Sequence, residues 1–325
     1  MLADKLYNAY KTKSKPNVLV IGDLMLDHYI FGSANRLSPE APVPVININK
    51  ETKIVGGAAN VASNLKELGA NVYLAGLTGD DIYGEEIKSI LDSNQIDTSL
   101  IIKDNTRLTT IKTRVIAGNH HIVRIDKEDI HEISKELESI FLQTVEECIK
   151  KADIIILSDY NKGLLSQNLC LRIIELCKQN NKKVVVDPKG LDYSKYQGAY
   201  IIKPNRKELA EASKTERITN NEALVKAADV IFKITQAEYL VVTLSEAGIA
   251  IISNQAHKVI PVVATEVYDV TGAGDTVIAT LAYCLAMGFD IEEAATIANY
   301  AAAIVIKHIG SATTTIEEVI QSLDK

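Results

Sequence analysis

A series of short, continuous apolar runs constrains this 325-residue chain more than any other feature. They lie at 17–22, 72–77, 153–157, 183–187, 199–203 and 239–243. Apolar residues without alternation are what parallel strands covered on both faces require. Between them lie stretches of helical length, about 58–68, 80–92, 134–150, 166–179 and 220–235, and residues 1–15 read as a short helix or tail. Strands alternating with helices predict an α/β fold with a mostly parallel sheet and right-handed crossovers. Asp23, Ser158, Asp159, Asp187 and Thr243 follow the carboxyl ends of these runs, where open α/β sheets gather ligands.

Two segments break the alternation. Residues 27–50 and 107–126 carry strand-like composition without helical periodicity, and the second reads as a hairpin around Gly118 and Asn119. Both are expected to form an inserted antiparallel flap, a lid over the strand ends, with ordinary surface hairpins as the alternative. From residue 272 onward the chain reads as alanine-rich helices. With 47% hydrophobic residues and no linker or repeat, one domain over 1–325 with a lid is the economical division.

The net charge of −7 argues against a nucleic-acid-binding chain but leaves room for a local basic pocket. No apolar run approaches the roughly 18–20 residues of a membrane span, and no secretory leader is legible. The four cysteines form no C-x-x-C pair and read as buried, reduced thiols of a cytoplasmic protein.

Asp269-Val-Thr-Gly-Ala-Gly-Asp275-Thr276 opens a helical run. Gly272 and Gly274 permit a tight turn, and a helix start presents unsatisfied N–H groups that attract an anion, most naturally a phosphate. Asp275 in that turn fits a base that steers a hydroxyl at the phosphate; a helix capped by Asp275 is the alternative. Gly56-Gly57-Ala-Ala-Asn60 leads into another helix, with Asn60 able to donate to and accept from a hydroxyl, or simply packing a tight loop. Asp23 and Asp27 follow the first strand as candidate acceptors for sugar hydroxyls; Asp23 capping a turn and Asp27 as a solvated lid residue are the alternatives. Asn205-Arg-Lys-Glu208 reads as a capping box, or as a site where Glu208 holds a metal-bound water near phosphates. No P-loop string is present, and the glycines at 272 and 274 lack the third glycine of a dinucleotide fingerprint.

Taken in order along the chain, Gly56-Gly57-x-x-Asn60, Asn205-x-x-Glu208 and Asp269-x-Thr-Gly-Ala-Gly-Asp275 resemble the ribokinase/PfkB sugar kinases. The resemblance covers essentially the whole chain. It implies a ribokinase-like three-layer sandwich with a small β lid, and ATP with Mg²⁺ as cofactors. It further implies Asp275 as the base, the amides of Gly272, Ala273 and Gly274 as the anion hole, and Asp27, Gly56, Gly57 and Asn60 in the sugar site. Asn205 and Glu208 fall near Mg²⁺ and phosphate, and Thr243, Gly248 and Asn299 on the nucleotide side. Asp269 and Thr271 match a monovalent-cation position, for K⁺. Where the family often has Thr-x-Gly, this chain reads Thr243-Leu-Ser245.

Four further runs resemble the branch of the family acting on D-glycero-β-D-manno-heptose 7-phosphate: 22–29, 36–45, 158–163 and 186–190. That branch is often fused to an adenylyltransferase; this chain ends at Lys325 and is expected to be the kinase alone, a homodimer through the lid. A phosphosugar needs fixed cations, and Arg36, Arg114, Arg124, Lys162 and Lys189 are the candidates; each alone is more often a surface charge, and Lys162 and Lys189 stand out because each follows a buried strand and a carboxylate. Another sugar, sugar-phosphate or nucleoside kinase of the family, or a non-catalytic nucleotide or sugar sensor, remains open.

Overall fold

The computed structural model describes residues 1–118, 120–263, 266–308 and 310–324. The chain opens with α1 (Leu2–Thr12) and β1 (Asn17–Gly22), then two long strands, β2 (Leu24–Leu37) and β3 (Pro44–Gly57). There follow α2 (Ala58–Glu67), β4 (Asn71–Gly79), α3 (Ile82–Ser93), β5 (Asp97–Asp104), β6 (Thr110–Ala117) and β7 (His120–Lys127). The middle of the chain holds α4 (Lys135–Lys151), β8 (Ile154–Ser158), α5 (Gln167–Gln179), β9 (Lys183–Asp187), β10 (Ile201–Ile202), α6 (Arg206–Ala212) and α7 (Asn221–Thr235). It closes with β11 (Tyr239–Thr243), β12 (Ile249–Ile252), β13 (His257–Ile260), α8 (Ala273–Ala286), α9 (Ile291–Val305) and α10 (Ile316–Leu323).

Nine strands form one sheet in the order β13-β12-β11-β10-β9-β8-β1-β4-β5. It is parallel from β11 to β5, and the last two strands at the other edge run antiparallel. Successive side chains of a strand point to opposite faces, and β1 shows the consequence. Val18 and Val20 enter one apolar core with α1, α2, α8, α9 and α10, whereas Leu19 and Ile21 enter a second with α4, α5, α6 and α7. Burial on both faces is why these runs read as unbroken apolar stretches. The result is the ribokinase-like three-layer α/β sandwich.

The two irregular segments form a second, four-stranded sheet in the order β3-β2-β6-β7. Here the expectation of an antiparallel flap needs correction. β2–β3 and β6–β7 are antiparallel, but the two hairpins join through a parallel β2–β6 pairing. The reason is topological: α2, β4, α3 and β5 intervene between the hairpins, so no tight turn forces an antiparallel pairing and the second hairpin enters parallel to β2. Gly118 takes a left-handed φ of 59° at the β6–β7 turn; Asn119, the other expected turn residue, lies outside the described residues.

Cys170 and Cys177 are buried on α5, as is Cys284 on α8, while Cys148 is only partly buried. All four are free thiols. Among the described residues no helix is long and apolar enough to cross a membrane.

Candidate active site

The site forms where the N-terminus of α8 meets the carboxyl ends of β1, β8 and β9. Gly272 caps α8 with a left-handed φ of 78° and no side-chain cap. Its position is crowded: a Cβ there would stand 3.2 Å from Asn60 Nδ2 and from Ser311 Cα. Asp275 is not the helix cap. It is buried in the first turn of α8, and both of its hydrogen-bond donors come from other elements. Oδ2 accepts the Asn60 amide at 2.7 Å and Oδ1 accepts the Tyr160 hydroxyl at 2.5 Å.

Asn60 is held in turn by its neighbours. Asn64, one turn later on α2, donates to the Asn60 carbonyl at 2.9 Å and accepts the Thr276 hydroxyl at 2.8 Å. These bonds lock α2 to α8 around the carboxylate. Burial pushes the Asp275 carboxyl above the usual carboxylate range; the bonds from Tyr160 and Asn60 and the charge of Lys203 oppose that push.

The expected anion hole requires a correction. The Ala273 N–H is directed at the Val270 carbonyl, 3.2 Å away, because the chain turns tightly before α8. The N–H groups of Gly272, Gly274 and Asp275 have no acceptor among the described residues and are the free donors at the helix start.

A cavity of about 360 Å³ runs from Asp275, Gly272 and Gly274 past Lys203 and Asp187 to Lys189, Asn205, Glu208 and Thr243. Three of the ordered sequence motifs contribute to it or to the groups that hold it. Asn205 caps α6 through the reciprocal pair expected: its Oδ1 accepts the Glu208 N–H at 2.9 Å, and Glu208 Oε2 accepts the Asn205 N–H at 2.9 Å. Glu208 Oε1 pairs with Lys189 at 2.7 Å. Lys203, buried, pairs with Asp187 at 2.9 Å; burial raises the Asp187 carboxyl to about 7, with Lys203 opposing and Asp275 reinforcing the rise.

Gly248 and Asn299 do not line this cavity. Gly248, with φ of 93°, packs on the Ile260 carbonyl at the turn into β12. Asn299 donates to the Pro261 carbonyl at 2.7 Å. Thr243 ends β11 and pairs with Asn205 through an isolated bridge. Ser245, where the family often has glycine, holds a left-handed φ of 54°.

Asp23 does not face outward for a sugar. It is buried and accepts the N–H groups of Tyr160, Lys162 and Leu164 at 2.9, 3.1 and 3.4 Å. Asp27, also buried, pairs with Arg114, whose guanidinium lies 5.2 Å from the Tyr29 ring centre. Gly56 and Gly57 serve close backbone approach: a Cβ at Gly56 would meet Asp27 Oδ2 at 2.4 Å, and one at Gly57 the Asp23 carbonyl at 2.4 Å. Asp269 Oδ1 accepts the N–H and hydroxyl of Thr271 at 2.9 and 2.7 Å, and Oδ2 accepts the Gly310 N–H at 2.8 Å.

The five candidate phosphate-binding cations are not brought together. Lys189 opens on the cleft with Asn205 and Glu208. Arg114 and Arg124 stand opposite each other on β6 and β7, with Arg124 paired to Asp126 at 2.9 Å. Lys162 reaches Glu128 at 2.8 Å, a carboxylate also 3.6 Å from Lys112, so that loop and small sheet share a charge cluster. Arg36 is exposed near the end of β2. Sequence reasoning missed Tyr160, Lys203 and Asn64 as parts of the site. The run 158–163 at the end of β8 was the available signal for Tyr160.

A buried carboxylate at a helix start, held by two donors beside free backbone amides and a polar cleft, suits phosphoryl transfer to a hydroxyl, as in a carbohydrate kinase. The family model described as pfkB family carbohydrate kinase matches residues 15–318, and the chain belongs to that family of ATP-dependent carbohydrate kinases. Among curated proteins it is 48% identical over 309 residues to the bifunctional protein HldE of Wolinella succinogenes, covering 95% of this chain and 65% of that protein. It is 46% identical over 308 residues to HldE of Helicobacter pylori strain HPAG1, covering 95% and 66% respectively. The chain thus spans less than two thirds of the length of the relatives it matches. Among solved structures, Arabidopsis thaliana ribokinase complexed with ribose and ATP shares the fold at a TM-score of 0.75 and 20% identity, covering 96% of this chain and all of that one. Phosphofructokinase-2 from Escherichia coli in complex with potassium does so at 0.77 and 17%, with the same coverage.

Proposed function

We propose that the chain transfers the γ-phosphate of ATP to the anomeric hydroxyl of D-glycero-β-D-manno-heptose 7-phosphate, giving the 1,7-bisphosphate, a precursor of ADP-heptose for the lipopolysaccharide core. The observation that carries the chemistry is the Asp275 carboxylate, fixed by Asn60 and Tyr160 beside the unpaired amides of Gly272 and Gly274. The choice of sugar rests on the four runs at 22–29, 36–45, 158–163 and 186–190 and on the likeness to the HldE proteins.

The sugar lies between the small sheet and α2, with hydroxyls on Asp27 and Asn60. Its phosphate is received on the small-sheet side by Arg114, Arg124 and Lys162, which exchange carboxylate partners for the ligand. ATP lies along the cleft with Lys189, Asn205 and Thr243, its terminal phosphate toward the α8 N-terminus. Asp275 orients the attacking hydroxyl and takes its proton as the new P–O bond forms and the bond to ADP breaks. The amides at the helix start and Lys203 stabilise charge on the transferring group. The small sheet, acting as a lid, keeps water from the phosphate.

Among the described residues no group of three or more His, Cys, Asp or Glu is arranged to hold a metal alone. Glu208 would hold Mg²⁺ through a water, and Mg²⁺ bound there would neutralise phosphate charge. Asp269 and Thr271 offer oxygen donors next to the helix start for a monovalent cation such as K⁺. We further propose that residues 1–325 form one kinase domain of a cytoplasmic enzyme, dimeric through the small sheet. That sheet exposes Leu37, Ile48, Val123 and Ile125 and leaves β3 and β7 as open edges within one chain.

The test is a panel of sugars, sugar phosphates and nucleosides with ATP and Mg²⁺, read by ADP release and by the position of the new phosphate. The heptose 7-phosphate is expected to give the highest kcat/KM, with the product phosphorylated at the anomeric oxygen. A higher kcat/KM on ribose, a fructose phosphate or a nucleoside would replace the substrate assignment, and no turnover on any would favour a sensor.

A further inference from the structure

One loop that reaches the site is anchored far more heavily than a connection between a strand and a helix needs. Residues 159–164 link β8 to the segment before α5. Asp23, at the end of β1, accepts three of the loop's N–H groups, those of residues 160, 162 and 164. Asp159 accepts the Asn161 N–H at 2.6 Å through one oxygen. Through the other it holds Lys195 at 2.5 Å and the Tyr196 hydroxyl at 2.7 Å. Asn161 and Gly163 both adopt left-handed φ values, 57° and 92°, and a Cβ at Gly163 would stand 1.9 Å from the His131 carbonyl.

Two buried carboxylates and two left-handed residues therefore fix a short loop in one shape. That shape delivers the Tyr160 hydroxyl to Asp275 Oδ1 at 2.5 Å while Tyr160 itself borders the cleft. Asn60 supplies the second donor, on the other oxygen.

We propose that Tyr160 is a positioning residue for the phosphoryl-transfer base: its hydroxyl and the Asn60 amide clamp the two Asp275 oxygens, keeping the carboxylate anionic in a buried site and turned toward the cleft. The physical logic is a competition. Burial alone favours the protonated acid, which cannot accept the sugar proton. A hydrogen bond donated to a carboxylate favours the anion. With one donor on each oxygen, the plane of the carboxylate is also fixed, and one lone pair on each oxygen stays available for the incoming hydroxyl. Lys203 and Asp187 on the cleft side and Asp27 on the small-sheet side are the other charged groups that act on Asp275. None of them is altered by removing the phenol oxygen, so the comparison isolates the clamp.

This inference rests on Asp275 acting as the base, and its test is chosen to need no sugar. The full chain is labelled with aspartate carrying ¹³C at the carboxyl carbon and titrated by NMR, with Asp275→Asn identifying the resonance. Phenylalanine fills the volume of tyrosine, so Tyr160→Phe removes the hydroxyl alone. The Asp275 midpoint is expected to move to higher pH by about one pH unit in Tyr160→Phe. With whichever sugar proves to be the substrate, the acid limb of the kcat/KM profile moves with it, and the KM for ATP is unchanged. A midpoint that is the same in both proteins overturns the clamp. A failed heptose assignment, by contrast, appears only in the substrate panel and leaves this titration intact.

Discussion

Asn60, on the second helix, donates its side-chain amide to Asp275 Oδ2 at 2.7 Å across 215 residues of sequence. The turn of Gly56 and Gly57 that leads into α2 and the Gly272 turn that starts α8 thus bring the first turns of two helices together at one carboxylate. Asn60→Ala removes one of the two donors and leaves a buried acceptor short of a partner. It is expected to lower stability by about 1–3 kcal/mol and kcat/KM by at least about tenfold. Chemical denaturation and ADP release measure the two effects, and unchanged stability would contradict the clamp's structural half.

Gly57→Ala tests the close approach that brings α2 to the site. Gly57 has φ of 62° and ψ of −138°, and its added Cβ would press on the Asp23 carbonyl at 2.4 Å. Strain in that backbone region and the overlap together should cost about 2–4 kcal/mol, read as a fall in the denaturation midpoint.

Asp23 gives a pH signature. Burial, with the charge of Asp159 adding to it, raises the Asp23 carboxyl to about 6 from an ordinary 3.8, against the three backbone N–H bonds. The folded chain keeps this proton to higher pH than the unfolded chain does. The contribution of Asp23 to stability is therefore full below about pH 4 and is lost as pH rises to about 6. The stability of the wild type relative to Asp23→Asn is expected to fall across that window and to be flat above it. A relative stability that rises with pH would reverse the assignment.

Ser245 carries a left-handed φ of 54° where glycine would be at ease. Ser245→Gly is expected to leave stability the same or raise it by up to about 1 kcal/mol, because relief of the left-handed strain outweighs glycine's extra freedom in the unfolded chain. Thermal melting checks it, and a clear loss would mean that the serine side chain holds the turn.

Much of the fold is legible in the chain, for a definite reason. β1, β8, β9 and β11 are covered on both faces, so their unbroken apolar runs stand out, and the helices between them are bounded by caps such as Ser134, Ser166 and Asn220. β5 and β13 escape notice because they lie at the two edges of the sheet, with fewer apolar residues in a row. The parallel β2–β6 pairing is a long-range event that no local pattern encodes. At the site, glycines and carboxylates in local motifs mark Asp275, Asn60 and the Asn205–Glu208 box. Tyr160 is legible only as part of a longer run, because its partner lies 115 residues away. Lys189 stands near the sugar in the sequence reading but reaches Glu208 in the cleft, a placement decided by where β9 ends relative to α6.

The most direct test of the whole account is the rate of ADP release by Asp275→Asn at saturating ATP and sugar, with melting and nucleotide binding measured on the same preparation. The account predicts a folded protein that still binds ATP and has lost on the order of 10²-fold or more of kcat. Turnover close to that of the wild type would mean that Asp275 is not the base, and the mechanism built around it would fall.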